Sequence, residues 1–102
     1  MAVQKIDGAK AVELVEAGAL ILDLREGADY AKGHIPGSVH VPLNMVSQAT
    51  VAQYAPEKNA PVIVCCYVGG RSEGFAQILE RLGYTEVYDL GSIVNWPGDL
   101  TV

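Results

Sequence analysis

Val62-Ile-Val-Cys-Cys-Tyr-Val-Gly-Gly-Arg-Ser-Glu73 carries an apolar run straight into two adjacent cysteines and then into a glycine-rich turn. The run from Pro61 to Val64 is short, β-branched and without polar alternation, as in a central parallel strand covered on both faces. Gly69 and Gly70 allow a tight backbone curl, and Ser72 followed by Glu73 predicts the N-cap and first turn of a helix. A helix start offers unpaired N–H groups and the positive end of the helix dipole. A thiol at its mouth is therefore expected to ionise readily.

Downstream of this stretch, Phe75, Ile78, Leu79 and Leu82 occupy one helical face, and Gly83 ends the helix. Glu86 to Leu90 predicts a further strand, and Gly91 to Pro97 a half-turn with Trp96 as an aromatic plug. Upstream, Asp7 precedes a helix with Ala11, Val12, Leu14 and Val15 on one side and Gly18 as its stop. Ala19 to Leu24 predicts a buried strand, and residues 27–32 a short helical piece closed by Gly33. Ile35-Pro-Gly37 is a turn, and Val39 to Val41 a brief strand. Between Leu43 and Asn59, the residues Met45, Val46, Val51 and Tyr54 fit one or two short helices. Strands alternating with helices predict an α/β fold, a parallel sheet with helices on both faces and its site at the carboxyl ends of the strands.

The 102 residues fit one domain, 1–102, with no room for a second. Twelve acidic and seven basic residues give a net charge of −5, and the basic ones are scattered, which argues against nucleic acid as a partner. No stretch approaches the roughly 18 apolar residues of a membrane span. The first ten residues lack the pattern of a signal peptide, so a soluble, cytoplasmic protein is expected.

Cys65 and Cys66 are the only cysteines, so no disulfide framework is possible, and no spaced Cys and His set marks a zinc site. A vicinal disulfide would be strained, and reduced thiols are the simpler expectation. Free cysteine titrates near roughly 8.5, falling to about 3.5–7.5 at a helix N-terminus or beside a cation. Arg71 stands in the same loop, and successive loop N–H groups can cradle an anion. Cys66 to Arg71 reads C-x4-R, whereas Cys65 to Arg71 reads C-x5-R, a cradle suited to phosphate. The residues leave both frames open.

Taken together, Cys66-Tyr-Val-Gly-Gly-Arg-Ser72, the segment Asp23 to Ser38, Leu82-Gly-Tyr84 and Val87 to Trp96 closely resemble the rhodanese family of sulfurtransferases. The resemblance implies a rhodanese-like fold, a five-stranded parallel sheet flanked by helices. It implies Cys66 as the sulfur-carrying nucleophile, with Gly69 as loop glycine, Arg71 as cationic end and Ser72 opening the helix. Tyr67, Val68 and Gly70 complete the substrate loop without adding a polar side-chain donor apart from Tyr67's own hydroxyl, so Arg71 is its only charge. Cys65 then falls on the last strand residue and points away from the cradle, as a small core residue. No metal or organic cofactor is implied.

The expected reaction is ping-pong covalent catalysis. The Cys66 thiolate takes sulfane sulfur from thiosulfate or a persulfide donor, then passes it to a thiol, cyanide or a partner protein. With one cation and a net negative chain, modest activity with thiosulfate and better activity with thiol-bound sulfur are expected. Two other readings compete: a phosphatase or arsenate reductase using Cys65, and a non-catalytic binding module on the same scaffold. Against the first, Val64 stands where such phosphatases have His; against the second, both cysteine and arginine are present.

Among other polar residues, Asp23, Arg25 and Asp29 are expected to form a structural ion-pair network, and His34 a turn-stabilising hydrogen bond. His40, alternating with valines, is expected to face solvent. Tyr88 and Trp96 are packing aromatics, while Tyr67, beside the nucleophile, should line the pocket mouth.

Overall fold

The structure, a computed structural model, describes residues 3–42, 47–67 and 69–102. In chain order the elements are β1 (Val3–Lys5), α1 (Gly8–Glu16), β2 (Leu20–Asp23), α2 (Gly27–Lys32), β3 (Val39–His40), α3 (Gln48–Tyr54), β4 (Val62–Cys66), α4 (Gly69–Arg81) and β5 (Val87–Ser92), followed by a 3-10 turn over Ile93–Asn95. The five strands form one sheet in the order β1-β5-β4-β2-β3, all parallel. This is the α/β architecture expected.

The fully buried β4 sits at the centre, and its period-two alternation divides the core. Val62, Val64 and Cys66 pack with Phe75, Ala76 and Leu79 of α4 and Val51 of α3 on one face. Ile63 and Cys65 pack with Ala11 of α1, Ile21, Leu90 and Ile93 on the other, where Trp96 closes the cluster. Two adjacent strand residues must point to opposite faces, and the cysteines do. β4 also runs one residue further than expected, so Cys66 rather than Cys65 is its last residue.

Four strands are legible from local pattern, and β1 is not. It is a three-residue edge with two exposed side chains, held by parallel pairing of Val3 with Val87 and by the Ile6 N–H donating to Asp89 O at 3.0 Å. Such a strand exists through its partner's hydrogen bonds, not through an apolar pattern of its own. The strand expected to end at Leu90 continues through Ser92 by a bulge: Val64 pairs with Asp89, but Cys65 pairs with Gly91. Gly91 has φ +78°, which needs glycine, and its N–H donates to the buried Asp89 carboxylate at 2.9 Å.

Two helical expectations are corrected, the Ser72 cap and the burial of Ile78, and α3 has a cap not among those expected. Asp7 caps α1 by accepting from the Lys10 N–H, and Ser47 and Thr50 form a reciprocal capping box on α3. Ser72, however, is not an N-cap: α4 begins three residues earlier, at Gly69, and Ser72 is buried within its opening turns. Ile78 is 40% exposed instead of buried, because the apolar stripe of α4 is centred between Phe75 and Ala76 and leaves Ile78 on its flank. At the far end, Gly83 takes φ +101° and the Tyr84 N–H reaches back to Leu79 O at 3.1 Å, a glycine-dependent stop. Of the ambiguous stretch, Val51 is buried in α3 and Tyr54 is exposed, while Met45 and Val46 lie outside the described residues.

Candidate active site

The carboxyl ends of β2 and β4 lie side by side, with Asp23 in register with Cys65. The segment leaving β2 therefore faces the segment leaving β4. A cavity of about 240 Å³ opens there, lined by Leu24, Arg25, Glu26 and Asp29 from the β2 side and by Cys66, Tyr67 and Arg71 from the β4 side. Cys66 stands at its floor, 1% exposed, where the strand ends and α4 is about to begin. Tyr67 forms part of the rim, 63% exposed, and its carbonyl accepts from the Ser92 hydroxyl at 2.8 Å. Arg71 is exposed on the first turn of α4 and reaches the cavity.

Of the expected loop residues, Cys66, Tyr67 and Arg71 thus meet in one cavity. Gly69 and Gly70 form the first residues of α4, whose opening N–H groups have no intrahelical acceptor. Ser72 is buried and does not line the cavity. Val68 lies outside the described residues.

Cys65 faces away, fully buried in the cluster beneath α1. Burial first, and then the charge of Asp23, push its thiol far above the ordinary range, the nearby Arg25 only partly offsetting them. A neutral thiol sealed in the opposite face cannot attack a substrate in this cavity. The C-x5-R frame, and with it the phosphatase or arsenate reductase reading through Cys65, is removed by this geometry.

The wall contributed by β2 is not recognisable as part of the site from sequence. Asp23 and Arg25 do form the expected ion pair, and it is buried: Arg25 Nη2 to Asp23 Oδ2 is 2.8 Å, Nε to Oδ1 3.0 Å and Nε to Oδ2 3.1 Å. The Arg25 N–H also donates to Oδ1, and Nη2 donates to Gly33 O at 2.7 Å. These bonds to Asp23 raise the guanidinium above its ordinary value in spite of burial. Arg25 is therefore committed to the scaffold even though it lines the cavity. Asp29 joins no ion pair among the described residues, and instead lines the cavity with Glu26.

Behind this wall three rings brace the connection from α2 to β3. Tyr30 stacks on His34 at 3.8 Å and on His40 at 4.8 Å, and its hydroxyl donates to Ser38 O at 2.6 Å. His34 donates from Nδ1 to Tyr30 O at 2.9 Å, the turn-stabilising bond expected of it. His40 does not face solvent; it is half-buried and donates from Nε2 to Arg25 O at 2.6 Å, holding the cavity wall in place. A strand residue at the rim of a sheet can fold over the neighbouring loop, which alternation alone does not reveal. Tyr88 packs as expected, its hydroxyl donating to Glu86 at 3.0 Å.

An α/β sheet carrying a cysteine at the end of its central strand, directly before a helix, defines a class of anion- or sulfur-handling folds. Residues 7–99 match the rhodanese-like domain, and the chain belongs to that family. A protein of Pseudomonas fluorescens named thiosulfate sulfurtransferase GlpE is 37% identical over 96 residues, covering 91% of this chain and 84% of the relative. One of the same name from Pseudoalteromonas translucida is 35% identical over 100 residues, covering 94% and 90%. Among solved structures, a rhodanese with anions from E. coli superposes with a TM-score of 0.77 at 28% identity, covering 82% of this chain and 98% of that one. A protein of Staphylococcus saprophyticus gives a TM-score of 0.77 at 26% identity over the whole of both chains.

Among the described residues no helix is long and apolar enough to cross a membrane.

Proposed function

We propose that this protein is a thiosulfate sulfurtransferase of rhodanese type, a single domain over residues 1–102, in which Cys66 carries the transferred sulfur as a persulfide. The observation that carries the reading is the position of Cys66 on the cavity floor, between the end of β4 and the start of the 13-residue α4. Helix-terminal N–H groups and the positive end of the dipole favour an anion at that point. Two curated relatives more than a third identical are named for the same activity.

The Cys66 thiolate attacks the outer sulfur of thiosulfate, the S–S bond of the donor breaks, and sulfite leaves with the electron pair. Three negative charges enter and three remain, so the step needs no proton transfer and no redox partner. The persulfide anion then rests against the amides of Gly69, Gly70 and Arg71, with the Arg71 guanidinium as counter-charge. Tyr67 shapes the entrance of the cradle, and Ser72 supports the turn from inside. Attack by an acceptor thiolate on the outer sulfur returns Cys66 as leaving group. The acceptor is a small thiol or a protein thiol, and the cytoplasm, where thiols stay reduced, is the compartment that suits this chemistry.

Glu26 and Asp29 face the same cavity as Arg71. They weaken its pull on a dianion, so thiosulfate is a modest donor and thiol-bound sulfur a better one. A thiosulfate KM in the low micromolar range is the opposite result.

Intact-mass spectrometry after incubation with thiosulfate tests the assignment. Wild type and Cys65→Ser are expected to gain one sulfur atom, and Cys66→Ser none. A gain that persists in Cys66→Ser assigns the chemistry elsewhere.

A further inference from the structure

The Cys66 cavity has a rim of unequal character. On one side stand Glu26, exposed, and Asp29, half-buried, neither in an ion pair among the described residues. On the other side Tyr67 is 63% exposed, and next to it, outside the cavity lining, Val94 is 77% exposed, both large and apolar. A single hydroxyl holds these two together: Ser92 Oγ donates to Tyr67 O at 2.8 Å and accepts from the Val94 N–H at 3.3 Å. The loop after β4 and the 3-10 turn after β5 therefore form one edge. Val94 does not line the cavity, so its exposure serves nothing inside it.

Charge decides what would sit on this rim. Arg25 is neutralised by Asp23. Once Cys66 holds a persulfide anion, Arg71 is balanced as well. Glu26 and Asp29 are then the uncompensated charges at the mouth, on a chain whose net charge is −5. A small apolar edge beside an unbalanced acidic wall is complementary to a polypeptide with positive charge and an apolar side chain.

We propose that the mouth of this cavity docks a basic protein partner and delivers sulfur to a cysteine that the partner presents between lysine or arginine residues. Glu26 and Asp29 meet the charges, and Tyr67 and Val94 meet the apolar flank. The proposal rests on the persulfide at Cys66. The partner's thiolate attacks the outer sulfur, a new S–S bond forms on the partner, and the old one breaks with its electrons returning to Cys66 Sγ.

The test starts from protein loaded with sulfur and verified by mass, so a failure to load counts against the persulfide and not against docking. Three synthetic peptides of equal length serve as acceptors, each with one cysteine and one leucine, flanked by lysine, glutamine or glutamate. Rates are referred to each peptide's thiolate concentration, with 2-mercaptoethanol as the small-thiol control. The lysine peptide is expected to outpace the glutamine peptide by roughly tenfold at low ionic strength, and the advantage to fade as salt screens it. Glu26→Gln with Asp29→Asn should abolish the lysine advantage. Val94→Ser should slow all three peptides several-fold and leave the 2-mercaptoethanol rate unchanged. Equal rates for the three peptides, or a lysine preference that survives the double substitution, would overturn the proposal. So would a homodimer in sedimentation that Val94→Ser dissociates, since a second copy would then be what covers the rim.

Discussion

Replacing Arg25 by leucine strikes the joint between scaffold and cavity. Asp23 is completely buried and Arg25 is 7% exposed, so solvent cannot substitute for what is lost. The substitution removes three guanidinium contacts of 2.8–3.1 Å and leaves the Asp23 carboxylate with the backbone N–H of residue 25, which donates at 3.0 Å. Gly33 O loses its donor as well. Removing one partner of a buried pair typically costs about 3–5 kcal/mol, because the other charge remains buried and uncompensated. At roughly 4–8 °C per kcal/mol for a domain of this size, Tm falls by on the order of 12 to 40 °C. Urea unfolding followed by circular dichroism, alongside thermal melts, measures both figures. The decisive comparison is the double variant Asp23→Asn with Arg25→Leu, which keeps an acceptor for the backbone N–H but removes the buried charge; it should recover at least half of the loss. A cost below about 1 kcal/mol for Arg25→Leu would refute the reasoning, as would a double variant no more stable than the single.

The same geometry sets three further outcomes. Cys65 holds its proton in the native state well above the ordinary thiol range near roughly 8.5, whereas the unfolded chain releases it there. Its contribution is therefore intact below about pH 8 and is lost as pH rises, at up to about 1.4 kcal/mol per unit; the stability–pH curves of wild type and Cys65→Ala should diverge between about pH 8 and 10, and parallel curves would contradict this. Gly8→Ala introduces a Cβ that overlaps the Asn95 carbonyl oxygen and lies 2.8 Å from Pro97 Cδ, so a loss of about 1–3 kcal/mol is expected in denaturant unfolding. Arg71→Ala removes an exposed side chain that faces the cavity, so the unfolding midpoint should hold while kcat/KM for thiosulfate drops roughly ten- to a hundredfold, the range of a charged hydrogen bond.

Much of this protein can be read without coordinates, and the reasons are local. An apolar β-branched run such as Val62 to Val64 has few alternatives to a buried strand, and Asp7, Gly18 and Gly83 carry cap chemistry that acts within a few residues of itself. β1 escapes such a reading because its stability lies in β5's hydrogen bonds, and the bulge at Gly91 because a register shift is a property of two strands. His40 departs from its alternation pattern for the same reason: its partner, Arg25 O, is fifteen residues away.

Chain chemistry alone dictates that a strand delivers two thiols to the start of a helix, and that these thiols, being adjacent in an extended strand, must point in opposite directions. The family resemblance singles out Cys66, and the tertiary arrangement supplies the physical reason, since of the two only Cys66 opens on the cavity. Packing α4 against Val62, Val64 and Cys66 leaves Cys65 to the core under α1, with its proton held fast. The opposite wall is likewise a consequence of strand order: Arg25, Glu26 and Asp29 share a cavity with Cys66 because β2 lies next to β4, a neighbour relation that long-range pairing sets and no short stretch of residues encodes.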